Sequence, residues 1–411
     1  MLAAAVDIGT TTLAVSLIDT QSGKRLAQAG AINPQREFGA DVVKRLEVAV
    51  RSPVTREEMT RRVREVLERL VADLLAESGR SWGELQRVAF VGNPTMEHLL
   101  LGLPVDSLAF PPYRPLFTEG QETDTGALGW GTRVPASVFP LPGGFVGGDL
   151  LAFVYGCGEK QGKRLFLDLG TNGEIALTTD EKVLATSVAA GPAYEGGNLA
   201  HGMTALDGAI SRVTIDGERV SLTTVGGGRP RGICGSGVFD AIAAMLSAGI
   251  LDRSGRIASA DEVASNLANR LEGVAGERAF VLYRDASGTV SITQGDIRQI
   301  QLANAAVRSG IEVLCQRAGI AASELNEVIV TGSFGVELFP PSLKSNGILG
   351  ESMVAITRFV REGALAGAER DLCARQGEPG IGALARAMKV VPLSGNPAFE
   401  KLFFSHMDFT P

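Results

Sequence analysis

Cysteine is scarce in this chain. Four thiols, Cys157, Cys234, Cys315 and Cys373, are spread over 411 residues. They sit too far apart for a local metal cluster or a disulfide framework, so a reduced, cytoplasmic protein is expected. Also missing is any run of about 20 uninterrupted apolar residues, which argues against a helical membrane span. No block of Lys and Arg occurs, and 39 basic against 46 acidic residues give a net charge of −7. That balance argues against a nucleic-acid or anionic-membrane partner. The opening, Met1-Leu2-Ala3-Ala4-Ala5-Val6-Asp7, has no basic segment and enters a strand directly, so no signal peptide is expected. What is plentiful is apolar sequence (45%) and glycine (51 residues). This is a globular composition on a chain too long for one core, so two or more lobes are expected.

The pattern alternates strands with helices, which predicts an α/β protein. Val6 and Ile8 begin a strand, and a Gly-Thr-Thr-Thr turn leads to a second through Leu13, Val15 and Leu17. Helix is expected from Phe38 to Leu75, broken near Ser52-Pro53, and again from Pro94 to Leu101 and Gly148 to Tyr155. Asp296 can cap a helix whose apolar stripe is Ile300, Ala303, Val307, Ile311, Leu314 and Ala318. A last long helix is expected from about Met353 to Gln376. The expected domains are a first lobe at 1–158, with a Pro- and Gly-rich excursion near 103–147, a second at 159–375, and a tail at 376–411 that packs back on the body.

One internal repeat carries the chemistry. Val6-Asp7-Ile8-Gly9-Thr10-Thr11-Thr12 recurs as Leu167-Asp168-Leu169-Gly170-Thr171-Asn172-Gly173. Each copy is an apolar strand ending in Asp, then Gly-Thr, then a second strand. Such a turn suits phosphate: glycine lets backbone approach an anion, and successive N–H groups and Thr hydroxyls donate to it. The Asp just before the turn can hold Mg²⁺ waters or orient an attacking water. One copy alone is equally a tight hairpin with an Asp side-chain turn. Two copies in one register predict paired lobes facing a cleft, with Gly9, Thr10, Thr11, Thr12, Gly170, Thr171, Asn172 and Gly173 as phosphate ligands. Asp7 and Asp168 are the expected metal and catalytic carboxylates. Val328 to Gly335 reads as a buried strand feeding a Gly-rich turn, where a nucleoside can lie on Gly332, Ser333, Phe334 and Gly335. Gly235, Ser236 and Gly237, ahead of an apolar helix, can frame the same base.

This set resembles the actin, sugar kinase and heat-shock chaperone ATPase superfamily, a two-lobed α/β fold of duplicated ribonuclease H-like lobes with the nucleotide between them. The resemblance implies ATP and Mg²⁺. Val146 to Gly156 resembles its first connecting helix, and Asp149 the acidic residue that serves metal and water, although a helix N-cap is an equal reading. Gly363-Ala364-Leu365-Ala366-Gly367-Ala368 resembles the second connecting helix, with small residues that let it cross the first closely. Glu195 either faces the γ-phosphate or makes a loop salt bridge.

Within the superfamily, Phe38-Gly39-Ala40-Asp41-Val42, Val91-Gly92-Asn93-Pro94-Thr95-Met96, Gly191-Pro192-Ala193-Tyr194-Glu195-Gly196-Gly197-Asn198, Ile233-Cys234-Gly235-Ser236-Gly237 and Asp296 to Ala303 resemble the C-terminal ATPase region of the reductive activators of corrinoid proteins. That resemblance implies ATP-driven return of a Co(II) cobamide to Co(I), with a corrinoid protein of a methyltransferase system as partner, and allows a homodimer. Such activators usually begin with a ferredoxin domain bearing Cys-x₄-Cys-x₂-Cys. No such motif stands here, so no iron–sulfur cluster is expected in this chain: either it is the ATPase portion of a longer activator, or it takes electrons from a separate ferredoxin-type donor. Asp-x-His-x-x-Gly, a cobamide ligand motif, is also absent. Gly156 to Arg164 only loosely resembles a Walker A loop, with its first Gly misplaced and Arg for Ser or Thr. Cys315 reads as core. Two rival readings stay open: a small-molecule kinase with Asp168, Asp207 or Glu195 as base, and a nucleotide-gated filament module.

Overall fold

The computed structural model describes residues 1–158, 161–286, 288–332, 334, 338–375 and 380–409. Contacts divide the chain into two compact units, Met1–Gln161 with Asp180–Thr186 and Arg361–Val391, and Gly162–Thr179 with Ser187–Val360 and Pro392–Pro411. The described residues of Arg361–Val391, expected in the second lobe and tail, thus pack with the first unit.

The first unit is built on a six-stranded mixed sheet. Its centre is Leu2–Ile8, paired antiparallel with Thr12–Asp19 and parallel with Leu85–Gly92. Period-two alternation sends successive side chains to opposite faces. Ala4, Val6 and Ile8 join one core with Met59, Val63, Leu67 and Leu74 of helix Pro53–Glu77. Ala5, Ala89 and Val91 join another with Ala152, Ala364, Leu365 and Ala368. The expected break falls at Ser52, which closes helix Val42–Arg51 and caps Pro53–Glu77, its side chain accepting from Thr55 N–H.

Small residues on the second face bring helices Gly148–Gly156 and Gly363–Cys373 together, as expected. A Cβ on Gly367 would overlap the carbonyl of Ala152. The expected helix from Met353 to Gln376 is instead three pieces: Glu351–Val354, strand Thr357–Phe359 and Gly363–Cys373. Glu362 at φ 51 interrupts it. Gln376 itself lies outside the described residues.

In the second unit Arg164–Leu169 pairs antiparallel with Gly173–Thr178 and parallel with Glu327–Thr331, which pairs parallel with Thr357–Phe359. The long helix Gln294–Ala318 buries the expected stripe from Ile300 to Leu314, but its N-cap is Thr293. Asp296 is three residues in, its carboxylate accepting from Thr293 N–H at 2.9 Å while Thr293 Oγ1 accepts from Asp296 N–H at 3.1 Å. This reciprocal pair satisfies two orphan donors of the helix start. Tail helix Pro397–Ser405 packs on this long helix, where Gln301 Nε2 donates to Met407 O at 2.7 Å.

Candidate functional site

Both Asp-tipped hairpins form, with unequal turns. The first closes on Ile8 opposite Leu13, leaving 9–12 as its turn; the second closes on Leu169 opposite Gly173, leaving 170–172. The second turn is therefore one residue shorter, and Asp7 faces Ala14 whereas Asp168 faces Glu174. Both Asp residues are half-buried at the ends of their strands.

The first turn is held by its carbonyls. Asn33 Nδ2 donates to Gly9 O at 2.8 Å, Arg45 Nη2 to Thr10 O at 2.6 Å, and Asn33 N–H to Thr11 O at 2.9 Å. Because a trans peptide points N–H opposite its C=O, these inward carbonyls turn the N–H groups of Thr10, Thr11 and Thr12 away from the framework. Arg45 is fully buried, so it places a cation behind the turn. Thr10 Oγ1 accepts from Asn93 Nδ2 at 2.9 Å. Asn33, Arg45 and Asn93 were not singled out from sequence. Each acts through long-range contacts, and only Asn93 lay in a motif already noted.

Glu97 is a further unforeseen residue. It is fully buried in helix Pro94–Leu101, with Oε1 accepting from Gly92 N–H at 3.1 Å and Oε2 without a partner. A Cβ on Gly148 would overlap Glu97 Oε1, so glycine is required where the helix Gly148–Gly156 begins. Burial, then the neighbouring Asp149 carboxylate, holds the Glu97 carboxyl well above its ordinary range. Desolvation raises Asp149 to about 6, against hydrogen bonds that favour its charge. Asp149 is not the helix cap; that is Gly147, and Asp149 Oδ1 accepts from Leu150 N–H at 2.8 Å.

In the second turn Thr171 N–H donates to Glu195 Oε1 at 3.2 Å, and the buried Thr171 Oγ1 has no partner. Glu195 therefore makes no loop salt bridge among the described residues; its carboxylate rests on a turn amide, as a phosphate oxygen would. Asn172 O accepts from Gly170 N–H at 3.0 Å. Gly173 packs closely, since a Cβ there would lie 2.8 Å from Val188 and 3.0 Å from Val307. Gly235, Ser236 and Gly237 are fully buried, with Ser236 Oγ set to donate to Ser211 O at 3.0 Å or Phe334 O at 3.2 Å. The Phe334 ring packs edge-on to Phe239, centroids 6.2 Å apart. Ser333 and Gly335 lie outside the described residues. Cys234 and Cys315 are buried, and burial pushes the Cys315 thiol up to about 11. Among the described residues no three His, Cys, Asp or Glu side chains gather as a metal site, and no helix is long and apolar enough to cross a membrane.

Two α/β units, each with an Asp-x-Gly-Thr hairpin at the end of its central strand, define an actin-like protein of the ASKHA class. A family model described as the C-terminal domain of RACo, the ASKHA domain, matches residues 163–411, and one described as the RACo middle region matches 2–161. The chain belongs to the RACo family. It is 31% identical over 417 residues to the corrinoid activation enzyme RamQ of Eubacterium limosum, covering 98% of this chain and 70% of that protein. It is 22% identical over 378 residues to the [Co(II) methylated amine-specific corrinoid protein] reductase of Methanosarcina barkeri, covering 82% and 63%. A solved reductive activator for corrinoid, iron-sulfur protein matches with TM-score 0.90 at 31% identity, covering 100% of this chain and 66% of that one.

Proposed function

We propose that this chain binds and hydrolyses ATP and couples that cycle to the reductive reactivation of a corrinoid protein, from Co(II) to Co(I). Membership of the RACo family over nearly the whole chain supports the corrinoid role. The observation that carries the ATP role is the pinned first turn, with three successive carbonyls drawn inward and their N–H groups directed out. In the second turn the resting carboxylate of Glu195 yields Thr171 N–H to a phosphate oxygen, and Thr171 Oγ1 gains the partner it lacks. Backbone at Gly332 and Phe334 is the proposed adenosine contact.

Mg²⁺ usually binds through one or two carboxylates completed by waters and phosphate oxygens. Asp7 and Asp168, each half-buried at the end of its own unit's strand, are the carboxylates proposed to hold its waters. Bound there, the ion neutralises phosphate charge. Asp149, raised to about 6, is ionised at neutral pH yet basic enough to draw a proton from the attacking water. Water adds to the γ-phosphorus, ADP leaves, and phosphate is released. Separately, one electron passes from a ferredoxin-type iron–sulfur donor to Co(II), giving Co(I) and the oxidised donor. The nucleotide state sets affinity for the corrinoid partner.

The test mixes the protein, ATP, a Co(II) corrinoid protein and a one-electron reductant, following phosphate release and the Co(I) absorption band. ATP-dependent Co(I) formation is expected. ATP consumed with Co(II) untouched would sink the coupling, and labelled phosphate appearing on a metabolite would establish a kinase instead.

A further inference from the structure

The turn Pro192–Glu195 and the glycine before it grip one residue of the second hairpin by both ends. Thr171 N–H donates to Glu195 Oε1 at 3.2 Å, and Thr171 O accepts from Gly191 N–H at 2.9 Å. Where this turn sits therefore decides where the Thr171 amide points. Gly191 and Gly196 bracket it at φ 78 and 80, a backbone region that glycine enters without steric cost. Such permissive ends resist pivoting weakly, so the turn needs an anchor between them.

Tyr194 supplies it. Its side chain is fully buried, the ring packed on Phe239 with centroids 5.1 Å apart. Its hydroxyl donates to Asn304 Oδ1 at 2.7 Å, in the long helix Gln294–Ala318. Burial pushes the phenol well above its ordinary range, so the hydroxyl keeps the proton it donates. Asn304 Nδ2 donates in turn to Asn346 O at 2.8 Å, and Asn346 Nδ2 to Phe239 O at 2.9 Å. The chain of bonds thus closes on the residue whose ring Tyr194 packs against. Tyr194, Asn304 and Asn346 are all buried, where such bonds are strong and stranding one partner is costly. Phenylalanine would keep the ring contact; what the hydroxyl adds is a fixed position against the long helix.

We propose, on the ATP reading of the second turn, that Tyr194 is a positioning residue for hydrolysis: its hydroxyl, through Asn304, fixes the turn that aims Thr171 N–H at phosphate. With Glu195 displaced by phosphate, the Gly191 contact and the Tyr194 anchor behind it hold that amide. The experiment compares the full chain with Tyr194→Phe, Asn304→Leu and the double variant, each well below its melting temperature. It measures kcat for phosphate release at saturating ATP with Mg²⁺, and hydrogen exchange of the Thr171 amide without nucleotide. Tyr194→Phe should lower kcat about tenfold or more, the scale on which a misplaced group slows a reaction. It should also speed Thr171 exchange while amides of strand Arg164–Leu169 keep the parent's rate. Asn304→Leu should do the same, and the double variant should lose no more than the larger single loss, because both remove one bond. Either single variant decides alone if the other fails to fold. A kcat or a Thr171 exchange rate unchanged from the parent in a folded single variant, or losses that multiply in the double one, would overturn the role. A parent that hydrolyses no ATP would instead overturn the ATP reading, and Thr171 exchange would still show whether the hydroxyl places that amide.

Discussion

The fully buried guanidinium of Arg45 donates to the carbonyl of Thr10 at 2.6 Å, and through Nε to Gly39 O at 2.9 Å. It therefore holds the first turn, proposed to take phosphate, from behind while adding positive potential there. Arg45→Met keeps the length but strands both carbonyls, at roughly 1–3 kcal/mol for each buried group left unsatisfied. The variant should unfold at lower denaturant and bind ATP at least about tenfold more weakly, measured by urea titration and calorimetry. Unchanged ATP affinity would mean that the turn needs no such support.

Asp149 and Glu97 give a pH signature. Asp149 takes up its proton near pH 6, so ATP hydrolysis should fall as pH drops through that value. Asp149→Asn should be nearly inactive at every pH. Stability runs the other way. A carboxyl raised from 3.8 to about 6 binds its proton more tightly when folded, so its contribution is present at low pH and lost as pH rises across that interval. Denaturation from pH 4 to 7 should show this decline in the parent and less of it in Asp149→Asn. Glu97→Gln should leave the acid limb of the rate unmoved, because burial already disfavours the charged carboxylate there.

Two glycine replacements should act in opposite directions. Gly367→Ala drives a methyl into the Ala152 carbonyl and must push the paired helices apart, so a loss of about 3 kcal/mol or more is expected. Gly382, inside helix Ile381–Ala387, has among the described residues only the flexible end of Arg386 near a new Cβ, at 3.5 Å. Alanine there should stabilise by about 0.4–1 kcal/mol. Thermal denaturation of both variants checks the pair.

Glu195 rests on Thr171 N–H, where a phosphate oxygen is proposed to go. Neutralising it with Gln removes a competing anion, so ADP and ATP should bind more tightly. Identical nucleotide affinity in Glu195→Gln and parent would show that the carboxylate does not compete.

Local patterns carried much of this in sequence. The hairpins, the break at Ser52-Pro53 and the apolar stripe from Ile300 to Leu314 all depend on neighbours a few residues away, which periodicity and turn chemistry report. The shorter second turn was not legible, because a one-residue change in pairing leaves the Asp-x-Gly-Thr motif intact while shifting what faces Asp168. Arg45, Glu97 and Asn33 escaped notice for another reason. Arg45 and Asn33 take their meaning from carbonyls met across the unit, Thr10 O and Gly9 O, whereas Glu97 accepts from Gly92 N–H only five residues back and what its sequence hides is its complete burial. Helix Gly363–Cys373 and its close crossing of helix Gly148–Gly156 were placed by motif, but its packing against Ala5 was not, since that is decided by tertiary fit.

The most direct measurement is calorimetric binding of a non-hydrolysable ATP analogue with Mg²⁺ to the parent, Gly9→Ala and Gly170→Ala chains. An added Cβ would lie 2.5 Å from Thr12 O in the first turn and 3.1 Å from Glu195 Oε1 in the second. The account predicts saturable binding by the parent and a loss of about tenfold or more in each variant, the scale of one charge-assisted hydrogen bond. No binding by the parent, or equal binding by all three chains, would contradict it.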